Sequence, residues 1–362
     1  LTSITIPEGL TEISVAAFIN CSALTSITIP EGVTEIGKSA FYGCSVLTSI
    51  TIPDGVTSIK EHAFCDCTSL TNITIPNGVT SIEGYAFYNC SSLTSINIPE
   101  GVTEIGRTTF LGCSSLTSII IPNSVTSIGY GAFFNCSSLT SIIIPDRVTS
   151  IGEMAFSGCS ALTSITIPEG VTEIGRGAFQ GCSLTNIDIP EGIKKIEGFV
   201  FNSCSSLTSI TIPDGVTSIG EYAFNCCSTL TNISIPNSAT SIGERAFFNC
   251  YSLVEVTCEA TNPPTLGLDC FTEIASSSTL IVPTGCTTAY SESDWAQYFT
   301  TIDDGEEHGS YENGVATVVT AGTLSTLIPE DEKYTITTLK VVGPLNGDDI
   351  RLIRDMAGRD ID

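Results

Sequence analysis

A 23-residue spacing of proline and cysteine runs through most of this chain of 362 residues. Eight prolines keep this spacing from Pro7 to Pro168, and three more follow from Pro190 to Pro236. Eleven cysteines, from Cys21 onward, keep the same spacing except for one step that is a residue shorter. Residues 1–252 therefore hold eleven repeats. A repeat of this length is typical of solenoids, in which each unit packs only against its neighbours.

The second repeat reads LTSITIPEGVTEIGKSAFYGCSV from Leu24 onward and shows how one unit folds. Its alternating apolar residues up to Ile29 predict a short strand with one buried face, and Pro30 ends the strand because it cannot donate a hydrogen bond. Ala40 and Phe41 predict a closing turn of 3₁₀- or α-helix. Because about six buried apolar side chains cannot offset the entropy of ordering one repeat, the repeats must stack.

The predicted fold is a right-handed repeat solenoid of the α/β type with short parallel strands. At about 4.8 Å per repeat, eleven repeats form a sheet about 50 Å long. Hydrophobic residues make up 42% of the chain and charged residues 14%, which indicates a folded protein and not an acidic disordered one. The formal net charge of −26 disfavours nucleic acid as a partner.

The consensus unit, LxxIxIPxxVxxIGxxAFxxCxx, resembles the BspA-like bacterial leucine-rich-repeat family. The resemblance covers residues 1–252, where every repeat has its Leu, Pro and Phe. It implies a leucine-rich-repeat solenoid in a surface or secreted protein of host-associated anaerobic bacteria. It also implies adhesion or protein binding, with host extracellular-matrix or epithelial proteins as partners and without a cofactor.

Three further segments follow the repeats. Residues 253–302 resemble the end cap of such arrays, with aromatic residues around Trp295 covering the open end. Residues 303–312 are predicted to form an acidic linker. Residues 313–362 predict two strands and a helix, the start of a partial α+β module that we expect to be cut short.

The two ends of the chain add expectations about its surroundings. The sequence begins at Leu1 already within the repeat pattern and without an initiator Met, so we expect a fragment or a processed product. The core edge of that first repeat would be open and could pair with another chain, giving self-association. No run of 18 apolar residues is present, so no transmembrane segment is predicted.

The regular cysteines are best explained as small buried apolar residues that stay free and unreactive. A disulfide within the cap, among Cys258, Cys270 and Cys286, is the alternative for the cysteines outside the regular spacing. A column of metal ions bound by these cysteines is disfavoured because no histidine accompanies them as a further ligand.

Acidic residues after the prolines, such as Glu31 and Asp54, predict a solvated loop edge. The alternative is calcium that bridges carboxylates of neighbouring repeats.

One outward-facing residue lies between the two inward isoleucines of each strand. This row consists of Thr5, Thr28, Thr51, Thr74, Asn97, Ile120, Ile143, Thr166, Asp188, Thr211 and Ser234. Ile120 and Ile143 interrupt the polar row on adjacent repeats, and two exposed apolar neighbours are typical of a contact site. The candidate ligand-binding residues are Thr74, Asn97, Ile120, Ile143, Thr166 and Asp188. Isolated exposed isoleucines without a role are the alternative.

A second row is formed by the residue after each repeat phenylalanine. It is mostly apolar or aromatic in the first six repeats, with Tyr42, Tyr88 and Phe134 among its members, and mostly polar afterwards. Packing against the adjacent repeat is the expectation for this row. A contact surface is the alternative, because tyrosine and phenylalanine are common in binding sites.

The repeat pattern predicts no catalytic residue and no metal site. No nucleophile elbow, phosphate-binding loop or zinc-protease motif is present, and near-identical repeats offer no single distinctive group for catalysis. Together with what the family resemblance implies, the predicted function is non-catalytic protein binding through the strand surface, at the cell surface or outside the cell. The alternatives are a structural spacer that presents other domains and, less favoured, a glycan-binding module.

Overall fold

The computed structural model describes residues 2–305, 310–312, 315–319, 323–329, 333 and 338–357. These residues form two compact units, one up to Asp303 and one from Asp304 onward. The first unit is a parallel β-solenoid of about 14 turns, here called rungs. The predicted leucine-rich-repeat solenoid with short parallel strands is thus confirmed.

Successive rungs build two ladders of short strands. The first ladder comprises Ser3–Thr5, Ser26–Thr28, Ser49–Thr51, Asn72–Thr74, Ser95–Asn97 and Ser118–Ile120, then Asn232–Ile235, Glu255–Cys258, Thr279–Ile281 and Thr301–Asp303. The second comprises Glu12–Ile13, Glu35–Ile36, Ser58–Ile59, Ser81–Ile82, Glu104–Ile105, Ser127–Ile128, Ser150–Ile151, Glu173–Ile174, Lys195–Ile196, Ser218–Ile219, Ser241–Ile242 and Thr265–Leu266. Pairing is parallel and in register, so that Ile27 lies beside Ile4 and Thr28 beside Thr5. Equivalent residues of the repeat therefore stack along the solenoid.

The core is a continuous column of stacked side chains. In the second repeat Leu24, Val33, Ile36 and Phe41 are fully buried. The repeat phenylalanines form one stack of rings from Phe18 to Phe271, with neighbouring centroids 5.0–5.9 Å apart and ring planes within 18° of parallel. Each rung thus buries its apolar face only against the rungs on either side, as a solenoid requires.

The predicted 3₁₀- or α-helical turn around Ala40 and Phe41 is wrong, because these residues form a chain of tight turns. Ser39 and Gly43 have left-handed φ angles of 54° and 71°, which interrupt any helix. Every second N–H donates to the next rung, as Phe41 does to the Ala63 carbonyl at 2.8 Å. A helix would use these donors internally and leave the next rung unpaired.

The sixteen cysteines all lie among the described residues, and all are free thiols. The thiol of Cys67 donates to the Phe41 carbonyl of the preceding rung at 3.2 Å, and nine other cysteines repeat this contact. In the cap, Cys258 accepts a hydrogen bond from the Tyr290 hydroxyl at 3.1 Å. The regular cysteines from Cys44 onward are buried stacking residues, and the disulfide alternative for the cap does not hold.

Burial makes the cysteine column resistant to thiol reagents. It raises the pKa of Cys113 and of Cys159 from 9.0 to about 12, which reduces the reactive thiolate about a thousandfold. Only Cys21, Cys226 and Cys286 are half-buried instead of buried. We expect iodoacetamide at pH 8 to label at most these three in the folded protein and all sixteen in guanidinium, counted by mass spectrometry. Rapid labelling of Cys113 in the folded protein would contradict this arrangement.

Aromatic residues close the C-terminal end of the solenoid. The ring of Phe271, the last in the stack, lies 5.3 Å from those of Trp295 and Phe299. Trp295 is 1% exposed, and its indole N–H donates to the Pro264 carbonyl at 2.9 Å. The 3₁₀ turn Asp294–Gln297 carries Trp295, and the helix Thr287–Ser291 before it carries the buried Tyr290. The polar residues between them face solvent, as a terminal unit requires.

Within the part of the second unit that the structure describes, there are a small three-stranded sheet and two helices. Ser310–Glu312 pairs antiparallel with Val315–Thr317, which pairs parallel with Lys340–Val342. The helices are Leu324–Leu327 and Gly347–Met356. Of the predicted linker 303–312, residue 303 ends a solenoid strand, 310–312 form a strand, and 306–309 lie outside the described residues, as does Leu1. Among the helices described in either unit, none has the length and apolar character that spanning a membrane requires.

Candidate protein-binding surface

The outward side of the first strand ladder, here called the strand face, carries all six candidate ligand-binding residues. Each of them is exposed, because strand alternation places the isoleucines on either side in the core. In the strand Ser118–Ile120, for example, Ile119 is 6% exposed and Ile120 is 66% exposed. The structure therefore places the predicted residues on one surface of the solenoid.

Ile120 and Ile143 form an apolar patch on this face. Their relative exposures are 66% and 82%, the latter the highest of any large hydrophobic side chain among the described residues. Their rungs are held in register upstream, where the Thr140 N–H donates to the Thr117 carbonyl at 3.3 Å. Two isoleucines at equivalent positions of adjacent rungs lie about 5 Å apart at the backbone. We call this pair the isoleucine patch.

The patch lies where the continuous sheet of the first ladder ends. Asn97 pairs with Ile120 inside the six-stranded sheet, whereas Ile143 and Thr166 are joined by a single bridge. Asp188 is joined to Thr211 in the same way. Four paired strands of the second ladder, from Glu104–Ile105 to Glu173–Ile174, connect the rungs of Ile120, Ile143 and Thr166. Between the rungs of Thr166 and Asp188 both ladders are interrupted, and turn hydrogen bonds join the two rungs, as from the Gly177 N–H to the Gly198 carbonyl at 2.9 Å.

Thr74 and Asn97 line a shallow depression of about 350 Å³ on the strand face. Side-chain amides of Asn72 and Asn77 and the Ser95 hydroxyl also face it. Hydroxyl and amide groups offer both donors and acceptors without net charge. The depression therefore provides polar contacts on the two rungs that directly precede the isoleucine patch.

The strand face is nearly uncharged although the chain carries a net charge of −26. Asp188 is the sole charged member of the outward row. Basic residues of the solenoid lie outside this row, and several of them pair with acids: Lys60, for example, bridges Glu35 and Glu83, each at 3.3 Å. An uncharged face with one apolar patch lowers the desolvation cost of docking a protein surface.

Sequence reasoning missed a larger groove along the second ladder. It has a volume of about 640 Å³ and is lined by residues that include Gly129, Gly152 and Gly175 together with Arg176 and Lys195. At these three glycines an added Cβ would lie within 3.0 Å of backbone atoms of the preceding rung, so glycine allows the rungs to approach closely along the groove. The run of glycines in the repeat alignment was the available signal.

The acidic loop edge gathers no metal site. Within the described residues, no three histidine, cysteine, aspartate or glutamate side chains come together as a metal ion would need. Calcium prefers six to eight oxygen ligands, so the bridging alternative has no support from this arrangement.

Comparisons with known proteins agree with this architecture. The model of the BspA type leucine rich repeat region matches six times, over residues 1–107, 80–205 and 194–293. None of the curated proteins compared with this chain matches it.

Among solved structures, a leucine-rich repeat protein from Bacteroides ovatus is 28% identical, with a TM-score of 0.55, covering 82% of this chain and 90% of that one. The pneumococcal vaccine antigen PcpA is 21% identical, with a TM-score of 0.61 and coverages of 84% and 80%. A leucine rich cell surface protein from Faecalibacterium prausnitzii is 34% identical, with a TM-score of 0.47 and coverages of 71% and 88%. Since the repeat model matches most of the chain, this protein belongs to the BspA-type leucine-rich-repeat family.

Proposed function

We propose that this protein is a non-catalytic surface or secreted protein that binds a protein partner through the strand face, with the isoleucine patch as its centre. The observation that carries this proposal is the exposure of Ile120 and Ile143 on adjacent rungs. Leucine-rich-repeat proteins are typically non-catalytic and suited to protein binding. Membership in this family supports a location at the cell surface or outside the cell.

The patch can supply a useful part of a binding energy. Burying an isoleucine side chain contributes about 1.5–3 kcal/mol when it is fully withdrawn from water. Two isoleucines that are more than half exposed can thus add about 2–4 kcal/mol, or roughly 30- to 1000-fold in affinity. Thr74, Asn97, Thr166 and Asp188 would surround this apolar centre with polar contacts, the usual arrangement of a protein interface.

The proposed partner class is a host extracellular-matrix or epithelial protein. We expect the full chain to bind immobilised proteins of these two classes saturably in surface plasmon resonance. The double variant Ile120→Glu, Ile143→Glu should bind at least about 30-fold more weakly, because charges in the contact must be desolvated. Its melting temperature should match the parent, since both side chains point into solvent.

The matched control is Thr28→Glu, Thr51→Glu, which adds the same charge to the same row four rungs away. It should bind like the parent. Equal binding by all three proteins would place the contact off the patch. An absence of binding by the parent would favour the spacer function, which is supported by how little the rungs differ from one another.

A further inference from the structure

The turns on either side of the core phenylalanines form a second surface, here called the turn face. Three arginines on this surface lie over aromatic rings: Arg107 is 4.2 Å from the centre of the Tyr130 ring, Arg176 is 4.4 Å from that of Phe199, and Arg245 is 5.5 Å from that of Phe248. All three distances are within the range at which a cation is attracted to a ring. The turn face therefore places cations against aromatic faces at several points along its length.

One group of aromatic residues on the turn face surrounds an open cup instead. The cup has a volume of about 270 Å³ and is lined by Tyr42, His62, Cys65, Asp66, Tyr85 and Tyr88. Cys65 is buried at its floor, and Tyr42 and Tyr88 hold the equivalent positions one rung before and one rung after it. Because these tyrosines are two rungs apart, their backbones are separated by about 9.6 Å. The small thiol leaves the space of a whole ring open between them.

The walls of the cup are held by contacts among its own residues. The His62 and Tyr85 rings stack with centroids 4.5 Å apart, and the Tyr85 and Tyr88 rings meet at 6.0 Å and 38°. The Asp66 carboxylate accepts a hydrogen bond from the Asn89 amide at 2.8 Å. Its negative charge also raises the pKa of the Tyr42 phenol, which locates the carboxylate beside that ring. The cup thus combines tyrosine rings with one fixed negative charge.

We propose that this cup binds an alkylammonium cation, seated between Tyr42 and Tyr88 and paired with Asp66. A cation midway between two rungs that are about 9.6 Å apart lies about 5 Å from each, inside the range of about 6 Å for attraction to a ring. Asp66 is the one acidic group that lines the cup, and neither lysine nor arginine lines it among the described residues. Arg107 donates to the Tyr85 hydroxyl at 3.0 Å from outside while its guanidinium lies on Tyr130. The cation could be a free amine or a lysine side chain of a protein.

The test is isothermal titration of the full chain with N-acetyl-trimethyllysine amide and with its uncharged carbon isostere, which has a tert-butyl group in place of trimethylammonium. The charged compound should bind at least about 10-fold more tightly, because only it is attracted to ring faces and carboxylate. A peptide carrying the same residue tests the protein source: tighter binding of the peptide supports a protein partner, and equal binding supports a free amine.

Two variants locate the site. Cys65→Leu fills the floor of the cup with a residue that the chain already uses at the equivalent Leu111, and it should abolish binding. Asp66→Asn removes the charge while keeping a residue found at the equivalent Asn89 and Asn135, and it should weaken binding of the cation at least about 10-fold. Gln180→Leu, the same type of change at the equivalent position five rungs away, should have no effect.

Three results would overturn the proposal. Equal affinity for the charged compound and its isostere would show that the cup is an apolar pocket that does not select for positive charge. Undiminished binding by Cys65→Leu would place the cation elsewhere. Binding of monosaccharides in place of the cation would assign the cup to carbohydrate. The Ile120→Glu, Ile143→Glu variant should bind the cation like the parent, so this site and the proposed strand-face function can fail separately.

Discussion

Raising the pH from 8 to 10 is expected to lower the free energy of unfolding of the solenoid by about 5 kcal/mol or more. Burial raises the pKa of Cys113, Cys159, Cys204 and Cys250 to about 12 in the folded protein, against an ordinary value of 9.0. Above pH 9 the unfolded chain releases these protons while the folded chain retains them. The stabilisation is therefore complete below pH 9 and is lost as the pH rises towards 12.

The size of this effect follows from the number of stacked thiols. Each thiol lowers the free energy of unfolding by about 1.4 kcal/mol per pH unit above 9. Four thiols thus account for about 5 kcal/mol at pH 10, and other buried cysteines such as Cys136 shift in the same direction. The measurement is guanidinium unfolding followed by circular dichroism from pH 7 to pH 10, with a phosphine reductant that keeps the thiols reduced.

The control for alkaline unfolding is a variant with alanine at the same four positions. It should be less stable than the parent at pH 7, because alanine leaves small cavities. Its loss of stability between pH 8 and pH 10 should be smaller than that of the parent by about 5 kcal/mol. Identical losses in the two proteins would show that the cysteine column does not cause the effect.

Replacing Phe133 by alanine is expected to destabilise the solenoid by about 3–5 kcal/mol. Phe133 is fully buried at the middle of the ring stack, with Phe110 at 5.5 Å and Phe156 at 5.3 Å. The substitution removes both ring contacts and leaves a cavity that the rigid rungs on either side cannot close. Because rungs interact only with their neighbours, the loss also weakens the coupling between the two halves of the solenoid.

Thermal and guanidinium unfolding of Phe133→Ala test this expectation, and Phe18→Ala is its matched control. Phe18 is half-buried at the N-terminal end of the stack and has one ring neighbour, Phe41 at 5.2 Å. Its removal should cost less than half as much and should not split the unfolding transition. Equal losses at Phe18 and Phe133 would contradict the nearest-neighbour account of stability.

The strands were predictable because the repeat combines two independent patterns. The 23-residue spacing establishes that equivalent residues stack, and the alternation from Leu24 to Ile29 specifies which of them point inward. The same alternation places Ile120 outside, so the sequence alone predicts that the six candidate residues share one face. These inferences depend only on the periodicity of strands and on repetition.

The turns were not predictable from the same patterns. The residues around Ala40 and Phe41 resemble a helical turn because many of their hydrogen bonds span three residues, as from the Ala40 N–H to the Gly37 carbonyl. The alternate N–H groups bind the next rung, and this requires left-handed backbone at residues such as Ser39. Propensity does not indicate that conformation, because only the competing partner in the adjacent rung favours it.

The cup on the turn face was missed for a related reason. The residue after each phenylalanine was expected to pack against the adjacent rung, and Cys65 is indeed buried. Tyr42 and Tyr88 are only half-buried and line a cavity. Aligning the repeats shows that Cys65 is a small residue between two tyrosines at equivalent positions. Whether a cavity opens above it depends on the direction of the Tyr42 and Tyr88 rings, which the sequence pattern does not specify.

The most direct test of the central claim moves the isoleucine patch along the solenoid without changing the composition. The variant is Ile120→Thr, Ile143→Thr, Thr28→Ile, Thr51→Ile. Its outward row still has two adjacent isoleucines, but they lie at positions 28 and 51 and no longer between Asn97 and Thr166. If the patch and its polar surroundings form the binding site, this variant melts like the parent and binds the immobilised partner at least about 30-fold more weakly. Undiminished binding would show that any pair of exposed isoleucines suffices or that the contact lies elsewhere, and would contradict the claim.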